Sequence, residues 1–296
     1  MLDYHLHLWP HSQHETPLRV EQLAEYCERA QAAGVEELAV TEHLFRFRQA
    51  EALLGGFWND ERVSPALAES MADYWEFHAT ADLDEYVTCA LDAKKAGLPI
   101  VVGLEVDFYA DRMDDVARLL AGYPFDVLLG SVHWVDAWRF DDISDPLSMA
   151  EWSTRQVDAC WDAYTEALEE LAASRACDVL AHPDLIKAAG HVPDAPDEWW
   201  DRMAEAAASA GMAAEVSSAG WRKPVGQQYP ALPLLRRFVE RGVPLTTASD
   251  AHHLEHVADR ADDLRAVLAA AGAEVLQGYR ARKPHEVAVG VPAAEG

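Results

Sequence analysis

The sequence has few basic residues for its size. Only 24 Lys and Arg stand against 51 Asp and Glu, which gives 296 residues a formal net charge of -27. Such a chain repels the phosphate backbone of nucleic acids, which clustered basic side chains normally bind. It also disfavours anionic membrane surfaces. We therefore expect neither a nucleic-acid partner nor a membrane partner, while the oligomeric state stays open.

Cysteines are few, and long hydrophobic runs are absent. Cys27, Cys89, Cys160 and Cys177 form no Cys-x-x-Cys pair and lie in apolar segments. This pattern is typical of reduced core residues and argues against a disulfide framework or a zinc knuckle. No apolar run approaches the length of a membrane span, and the first residues lack the basic and apolar regions of a signal peptide. We expect a cytoplasmic protein.

Short apolar runs alternate with longer amphipathic or Ala/Glu-rich segments along the chain. The strand candidates are Leu2–Leu6, Leu38–Thr41, Ile100–Val106, Val127–Val132, Val179–Ala181, Ala213–Val216 and Leu245–Ala248. The helix candidates are Val20–Ala33, Leu83–Ala96, Asp114–Leu120, Glu151–Ala173, Glu198–Ala210, Ala231–Arg241 and Glu255–Ala271. Repeated strand-then-helix units predict an α/β fold with one parallel, barrel-like sheet and helices outside it.

No linker, internal repeat or low-complexity segment divides the chain. We therefore predict a single domain over residues 1–296. Residues 45–81 contain additional aromatic side chains and no clear strand. We interpret this segment as an insertion over the mouth of the barrel.

Histidines and carboxylates follow six of the seven strand candidates. In chain order they are His5 and His7, His43, Glu105, His133, His182, and Asp250 with His252. Barrel enzymes carry their chemistry at this end of the strands, where the loops converge. Any one of these residues alone could be a hydrogen-bonded core side chain or an ion-pair partner. Their joint occurrence on one rim indicates a site.

Imidazole and carboxylate side chains are ligands that suit zinc, iron or manganese. The set is larger than the three protein ligands that one catalytic zinc uses. We therefore predict two or three divalent ions, with Glu105 bridging two of them. Adjacent ions can activate a water and stabilise the oxygens of a displacement at phosphorus.

Six segments resemble the PHP (polymerase and histidinol phosphatase) superfamily. They are DYHLH at 3–7, TEH at 41–43, GLE at 103–105, GSVHW at 130–134, AHPD at 181–184 and SDAH at 249–252. The resemblance implies a distorted seven-stranded (β/α)7 barrel of the PHP type, similar to a TIM barrel, with a trinuclear metal site. It implies one metal on His5, His7, Glu105 and Asp250, a second on Glu105, His133 and His182, and a third on His14, His43 and His252. His11 competes with His14 for its place.

Longer segments resemble the histidinol-phosphate phosphatase branch of that superfamily. They are GSVHWVDAWRFD at 130–141, AHPDLIK at 181–187 and SSAGWRKPVGQQYP at 217–230. The sequence departs from that branch at Ser217-Ser218, where Asn-Thr or a similar pair is more usual, and in its long insertion at residues 45–81. The resemblance implies hydrolysis of L-histidinol phosphate to L-histidinol and phosphate, a step of histidine biosynthesis.

The third of these segments places two basic residues after the sixth strand candidate. A guanidinium suits phosphate oxygens. We therefore expect Arg222 to bind the phosphate and to act in catalysis, with Lys223 and Arg46 as further substrate contacts. A metal-bound water or Asp250 is expected to help protonate the leaving group. By position alone, Glu15 or Glu42 would face the cationic amine and imidazole of the substrate.

Other functions stay open at this point. A PHP phosphoesterase that acts on nucleotides or another small phosphate ester would keep the metal site, although the charge of -27 disfavours nucleotides. An amidohydrolase also begins with His-x-His and ends with Asp on a barrel, but it needs a bridging lysine at a strand end, and none is present. A non-catalytic metal-binding PHP module usually lacks ligands, whereas this set is complete.

Overall fold

The computed structural model describes residues 1–10 and 18–290, so the candidate ligands His11 and His14, and Glu15, lie outside the described residues. Seven parallel strands pair in chain order. They are β1 (Leu2–Asp3), β2 (Glu37–Val40), β3 (Ile100–Asp107), β4 (Val127–Ser131), β5 (Val179–Leu180), β6 (Ala213–Ser217) and β7 (Leu245–Ala248). The backbone N–H of Tyr4 donates to the carbonyl of Thr247 at 2.9 Å, which brings β7 back to β1. The predicted seven-stranded (β/α) barrel is confirmed.

Ten helices are present among the described residues. They are α1 (Val20–Ala32), α2 (Arg48–Leu54), α3 (Pro65–His78), α4 (Leu83–Lys95), α5 (Met113–Leu120), α6 (Pro146–Trp152), α7 (Val157–Ser174), α8 (Asp197–Ala210), α9 (Leu232–Glu240) and α10 (Ala261–Ala271). Short 3-10 turns follow β2, β5, β6 and β7, at the rim where the candidate ligands lie. No helix of the described part is long and apolar enough to cross a membrane.

The strand β3 lies between β2 and β4 in the barrel wall and is buried over its whole length. A strand covered on both faces is typical of a parallel sheet with helices around it. Gly103 allows the neighbouring strands to approach β3 closely. A Cβ at this position would lie 2.8 Å from Cγ2 of Thr41 and 2.9 Å from Cγ1 of Val127. This close packing fixes the backbone two residues before Glu105.

The predicted insertion, residues 45–81, contains α2 and α3. Helix α3 begins with Pro65, and the Ser64 hydroxyl before it accepts a hydrogen bond from the N–H of Leu67 at 3.4 Å. A capping hydroxyl followed by proline is a strong helix start. One side of α3 lines the large cavity described below. Whether residues 1–296 form one independent domain stays a prediction.

Two helix boundaries differ from the sequence prediction. The segment expected to be one helix from Glu151 is split, because the hydroxyls of Ser153 and Thr154 bond back to the carbonyls of the preceding turn and end α6. Near the C-terminus, Ala258 and Arg260 have φ values of 56° and 57°. This left-handed backbone delays the start of α10 to Ala261.

An antiparallel hairpin, β8 (Val275–Arg280) and β9 (Lys283–Ala288), was not predicted. It packs against the starts of the barrel strands, opposite the rim that carries the candidate ligands. The N–H of Tyr279 donates to the hydroxyl of Tyr4 at 3.0 Å, and Arg282 pairs with Asp178 at 2.8 Å. The hairpin therefore closes the far end of the barrel.

Candidate metal centre

Glu105 lies at the centre of the rim and has no exposed surface. Its Oε2 atom lies 3.1 Å from Nε2 of His5 and 3.5 Å from Nε2 of His7. Its Oε1 atom lies 3.0 Å from Nε2 of His182 and 3.3 Å from Nε2 of His133. One carboxylate thus presents one oxygen to each of two imidazole pairs.

Asp250 joins the first of these pairs from the loop after β7. Its Oδ1 atom lies 3.4 Å from Nε2 of His7 and 3.9 Å from Nε2 of His5. The backbone N–H of Asp250 donates to the carbonyl of His5 at 2.8 Å. Asp250 has a φ of 49° and His182 a φ of 28°, which non-glycine residues rarely adopt. Such strain is typical of functional sites, where the surrounding structure holds the residue in place.

A third group of imidazoles lies beside the first. One ligand atom each from His7, His43 and His252 lies within 4.8 Å of the others. The ring of His7 stacks on those of His43 and His252, with centroids 4.1 Å away in each case. The structure therefore brings together eight of the nine ligands named from the sequence, and the ninth, His14, lies outside the described residues.

Three buried carboxylates hold imidazoles of the centre from behind, a role that the sequence analysis assigned to none of them. Oε2 of Glu215 lies 2.8 Å from Nδ1 of His5, and Oδ1 of Asp107 lies 2.5 Å from Nδ1 of His133. A carboxylate on the far nitrogen fixes the orientation of a metal-binding imidazole. Strand alternation places Asp107 on the same side of β3 as Glu105, which was an available signal. Glu215 is a charged residue within the otherwise uncharged strand β6, which was another.

Glu42 is the third of these carboxylates. Its Oε2 atom lies 3.5 Å from Nδ1 of His7, while Oε1 accepts from the backbone N–H of Leu8 and Trp9 at 2.5 and 2.9 Å. The side chain has no exposed surface. Glu42 therefore supports His7 from within the protein, which differs from the contact with a substrate cation expected for it.

The carboxylates make the centre strongly attractive to positive charge. Burial lowers the pKa of His133, but the carboxylates of Glu105 and Asp107 outweigh burial and raise it to about 10. Burial raises the pKa of Glu105, yet the neighbouring imidazoles, His5 foremost, hold it well below its ordinary value. Burial raises the pKa of Asp107 to about 6 against the charge of His133. A cluster with these properties favours bound cations.

The donor atoms fit divalent metals. Oε2 of Glu105 is buried and accepts no well-aligned hydrogen bond from the described residues, although nitrogens of three imidazoles lie 2.7, 3.1 and 3.5 Å from it. A buried acceptor without a donor is costly unless a cation occupies its neighbourhood. Nitrogen and oxygen donors in this mixture suit zinc, manganese or iron.

The basic residues named from the sequence occupy different places. Arg222 donates to the carbonyls of Ser249 and Asp250 at 2.6 and 3.0 Å and pairs with Asp259 at 3.1 Å. It thus anchors the loop that carries Asp250, which differs from the phosphate contact expected for it. Lys223 faces the cavity beside the rim.

Arg46 has no exposed surface. Its Nε lies 3.4 Å from Oε2 of Glu42, and its guanidinium donates to the carbonyl of Pro10 at 3.3 Å. These contacts place Arg46 behind the metal centre, where it offsets the charge of Glu42. This position differs from the substrate contact predicted for Arg46.

A cavity of about 860 Å³ opens beside the rim. Its inner end is formed by the candidate ligands His43, His133, His182, Asp250 and His252. Helix α3 forms one outer wall and residues 139–147 form another, with Lys223 near the rim. The volume lies within the range of small-molecule sites.

Residues 3–219 match the sequence model of the PHP domain. The chain belongs to the PHP domain family. Among its relatives, a protein of Deinococcus radiodurans named a probable histidinol-phosphatase is 31% identical over 264 residues, which cover 88% of this chain and 92% of that protein. The family resemblance read from the sequence is confirmed.

Two solved structures share the fold of this PHP protein. Histidinol phosphate phosphatase from Lactococcus lactis, solved with zinc, L-histidinol and phosphate, matches with a TM-score of 0.67 at 18% identity, covering 96% of this chain and 98% of that one. A chain from Listeria monocytogenes matches with a TM-score of 0.67 at 18% identity, covering 89% and 99%. At this identity the likeness concerns the fold.

Proposed function

We propose that this PHP protein is a metal-dependent histidinol-phosphatase, which hydrolyses L-histidinol phosphate to L-histidinol and phosphate as a step of histidine biosynthesis in the cytoplasm. The observation that carries the proposal is Glu105 between two imidazole pairs at the base of a cavity of small-molecule size. The relative that is 31% identical over most of both chains supports the choice of substrate.

The geometry of the rim supports the proposed ligand sets except for His14, which lies outside the described residues and is assigned from the family resemblance. One set is His5, His7, Glu105 and Asp250, a second is Glu105, His133 and His182, and a third is His43 and His252 with His14. Zinc, manganese or iron in these sets would supply a nucleophilic water at neutral pH and neutralise charge at phosphorus.

The chain's own residues position the substrate and the ligands. Lys223 faces the cavity near the rim, so its ammonium is the side-chain charge that can bind phosphate oxygens. The carboxylates of Asp107 and Glu215 hold His133 and His5 with their Nε2 atoms toward Glu105. Asp250 lines the same cavity beside the imidazoles, which supports the part in proton transfer that was expected for its carboxylate.

The test is phosphate release from L-histidinol phosphate beside a panel of other phosphomonoesters and nucleotides, with zinc, manganese or iron supplied separately. We expect a kcat/KM of roughly 10⁴ M⁻¹s⁻¹ or more for L-histidinol phosphate, well above the panel. His133→Ala, in a protein that remains folded by circular dichroism, should abolish turnover. Preferential hydrolysis of nucleotides would reject the substrate while leaving the metal centre in place.

A further inference from the structure

Three aspartates lie within five residues on one wall of the cavity, and they differ in their partners. Arg139 pairs with Asp142 at 2.6 Å and with Asp145 at 2.9 Å. Asp145 also caps helix α6 by accepting from the N–H of Leu147 at 3.1 Å. The carboxylate of Asp141 makes no hydrogen bond or ion pair with any residue in the ranges 1–10 and 18–290. Asp141 is therefore the carboxylate of this wall that is left for a ligand.

Arg139 does not supply a free positive charge to the cavity. Besides the two aspartates, its guanidinium donates to the hydroxyl of Ser70 at 3.0 Å and lies 4.3 Å from the ring centre of Tyr74. Two carboxylates offset its charge, and its donors are directed at the protein. The wall formed by residues 139–147 consequently carries a net negative charge.

Asp141 lies on the side of the cavity nearest the metal centre. It is half-buried and lines the cavity together with His133, His182 and Lys223. Burial raises the pKa of Asp141, and the positive charges of His133 and Lys223 oppose that rise. The other unpaired acids of the cavity, Glu69 and Asp73, are exposed on α3, where water weakens any charge interaction.

The mouth of the cavity has an apolar pair of side chains. Phe77 on α3 is 39% exposed, and Ile143 on the aspartate wall is 38% exposed. Large apolar side chains exposed on the two walls of one cavity mark a place for an apolar or aromatic ligand group. The cavity thus combines phosphate-binding charge at the base, one free carboxylate beside it, and apolar walls at the mouth.

We propose that Asp141 binds the ammonium group of an amino-alcohol phosphate and thereby selects the substrate. The inference rests on the proposed function and deepens it. In L-histidinol phosphate the ammonium is on the carbon next to the phosphorylated CH₂ group, so its partner must lie close to the phosphate site, as Asp141 lies close to His133 and Lys223. The imidazole then extends toward Phe77 and Ile143.

The test removes the negative charge of Asp141 from the protein and the ammonium group from the substrate, each alone and both together. Wild type and Asp141→Asn are assayed on L-histidinol phosphate and on its deamino analogue, which lacks only the ammonium. A charge-assisted hydrogen bond accounts for roughly a tenfold to hundredfold difference. We expect Asp141→Asn to lower kcat/KM by that factor for the amine ester and to leave the deamino ester unchanged. The inhibition constant of L-histidinol should rise in parallel.

Asp136→Asn is the matched control. Asp136 lies in the same connection, is exposed, and has a φ of 56°, which Asn tolerates. Its substitution removes the same charge outside the large cavity and should change neither substrate. Metal content and melting temperature are measured for every variant.

The outcomes separate the two claims. An equal loss on both esters in Asp141→Asn, or no loss on either, overturns the role of Asp141 while wild-type activity on L-histidinol phosphate still supports the proposed function. Failure of the wild-type protein to hydrolyse L-histidinol phosphate overturns the proposed function, and the assignment of Asp141 falls with it.

Discussion

Oδ1 of Asp107 lies 2.5 Å from Nδ1 of His133, on the side of the imidazole that faces away from Glu105. The contact fixes the ring so that its Nε2 atom lies 3.3 Å from the carboxylate of Glu105. Glu215 holds His5 in the same way at 2.8 Å. Each of these imidazoles is therefore oriented by a carboxylate from another strand of the barrel, and the metal centre depends on residues that lie behind it.

Removing the charge of Asp107 should weaken metal binding without unfolding the protein. Loss of such an orienting carboxylate typically lowers metal affinity by about 10- to 100-fold. We expect Asp107→Asn to show this loss in a metal titration followed by calorimetry. Asp114→Asn, which removes an exposed aspartate on α5, is the control and should bind metal as the wild type does. Equal metal affinity in both variants would show that Asp107 does not orient His133.

Glu105 should contribute more to metal binding than any single imidazole does, because its two oxygens face two different ligand pairs. In Glu105→Gln the neutral amide keeps the shape and loses the charge that offsets the neighbouring cations. We expect the variant to lose at least two ions per chain and all turnover, whereas His252→Ala loses one. Elemental analysis of the purified proteins gives the counts. A Glu105→Gln protein with a full complement of metal would contradict the bridging role.

Substitution of Lys223 should affect catalysis, whereas substitution of Arg222 should affect metal binding and stability. Lys223 faces the cavity, so we expect Lys223→Ala to lower kcat/KM by about 10- to 100-fold with unchanged metal content. Arg222 holds the carbonyls of Ser249 and Asp250, so Arg222→Ala should lower metal content and melting temperature. The two variants are compared by steady-state kinetics and elemental analysis. A purely kinetic defect in Arg222→Ala would restore the phosphate contact predicted from the sequence.

Asp126, at the end of the barrel opposite the ligand rim, should make the free energy of unfolding depend on pH. Burial raises the pKa of Asp126, but Lys94 and the N–H groups of Val102 and Ala281 outweigh burial and hold it below its ordinary value. A carboxylate of this kind stabilises the fold above its unfolded pKa of about 3.9, and the contribution is lost as pH falls through the folded pKa.

Asp126→Asn should therefore lower the free energy of unfolding by about 1–3 kcal/mol near neutral pH. The difference from wild type should shrink as the pH falls below about 4. Urea unfolding of both proteins across this range measures it. A difference that stays constant with pH would show that the charge of Asp126 does not stabilise the hairpin end.

The positions that the sequence predicted well are those that depend on strand order alone. Parallel strands bring their carboxyl ends to one rim, so His5, Glu105 and His182 could be placed together before any contact was known. Glycines and apolar runs also indicated most strands. These features are local in sequence, and the barrel connects them in a fixed order.

The features that were missed depend on contacts between distant side chains. The sequence does not reveal whether the guanidinium of an arginine binds a ligand or another part of the protein. In the structure, Arg46 pairs with a carboxylate and Arg222 donates to backbone carbonyls. The orienting role of Glu215 requires knowing that β6 brings it to His5, 210 positions away in the sequence. The hairpin β8–β9 follows the last barrel strand, where no further repeat of the strand-helix pattern predicts it.

The central claim is that metal held by Glu105 and its imidazole partners hydrolyses L-histidinol phosphate. The most direct measurement is a titration of zinc, manganese or iron into chelator-stripped protein, with bound metal and phosphate release from L-histidinol phosphate measured in the same samples. We predict no release from the stripped protein and activity that rises with metal bound, reaching its maximum at two or three ions per chain. Full activity in the stripped protein, or saturation with metal without any phosphate release, would contradict the account.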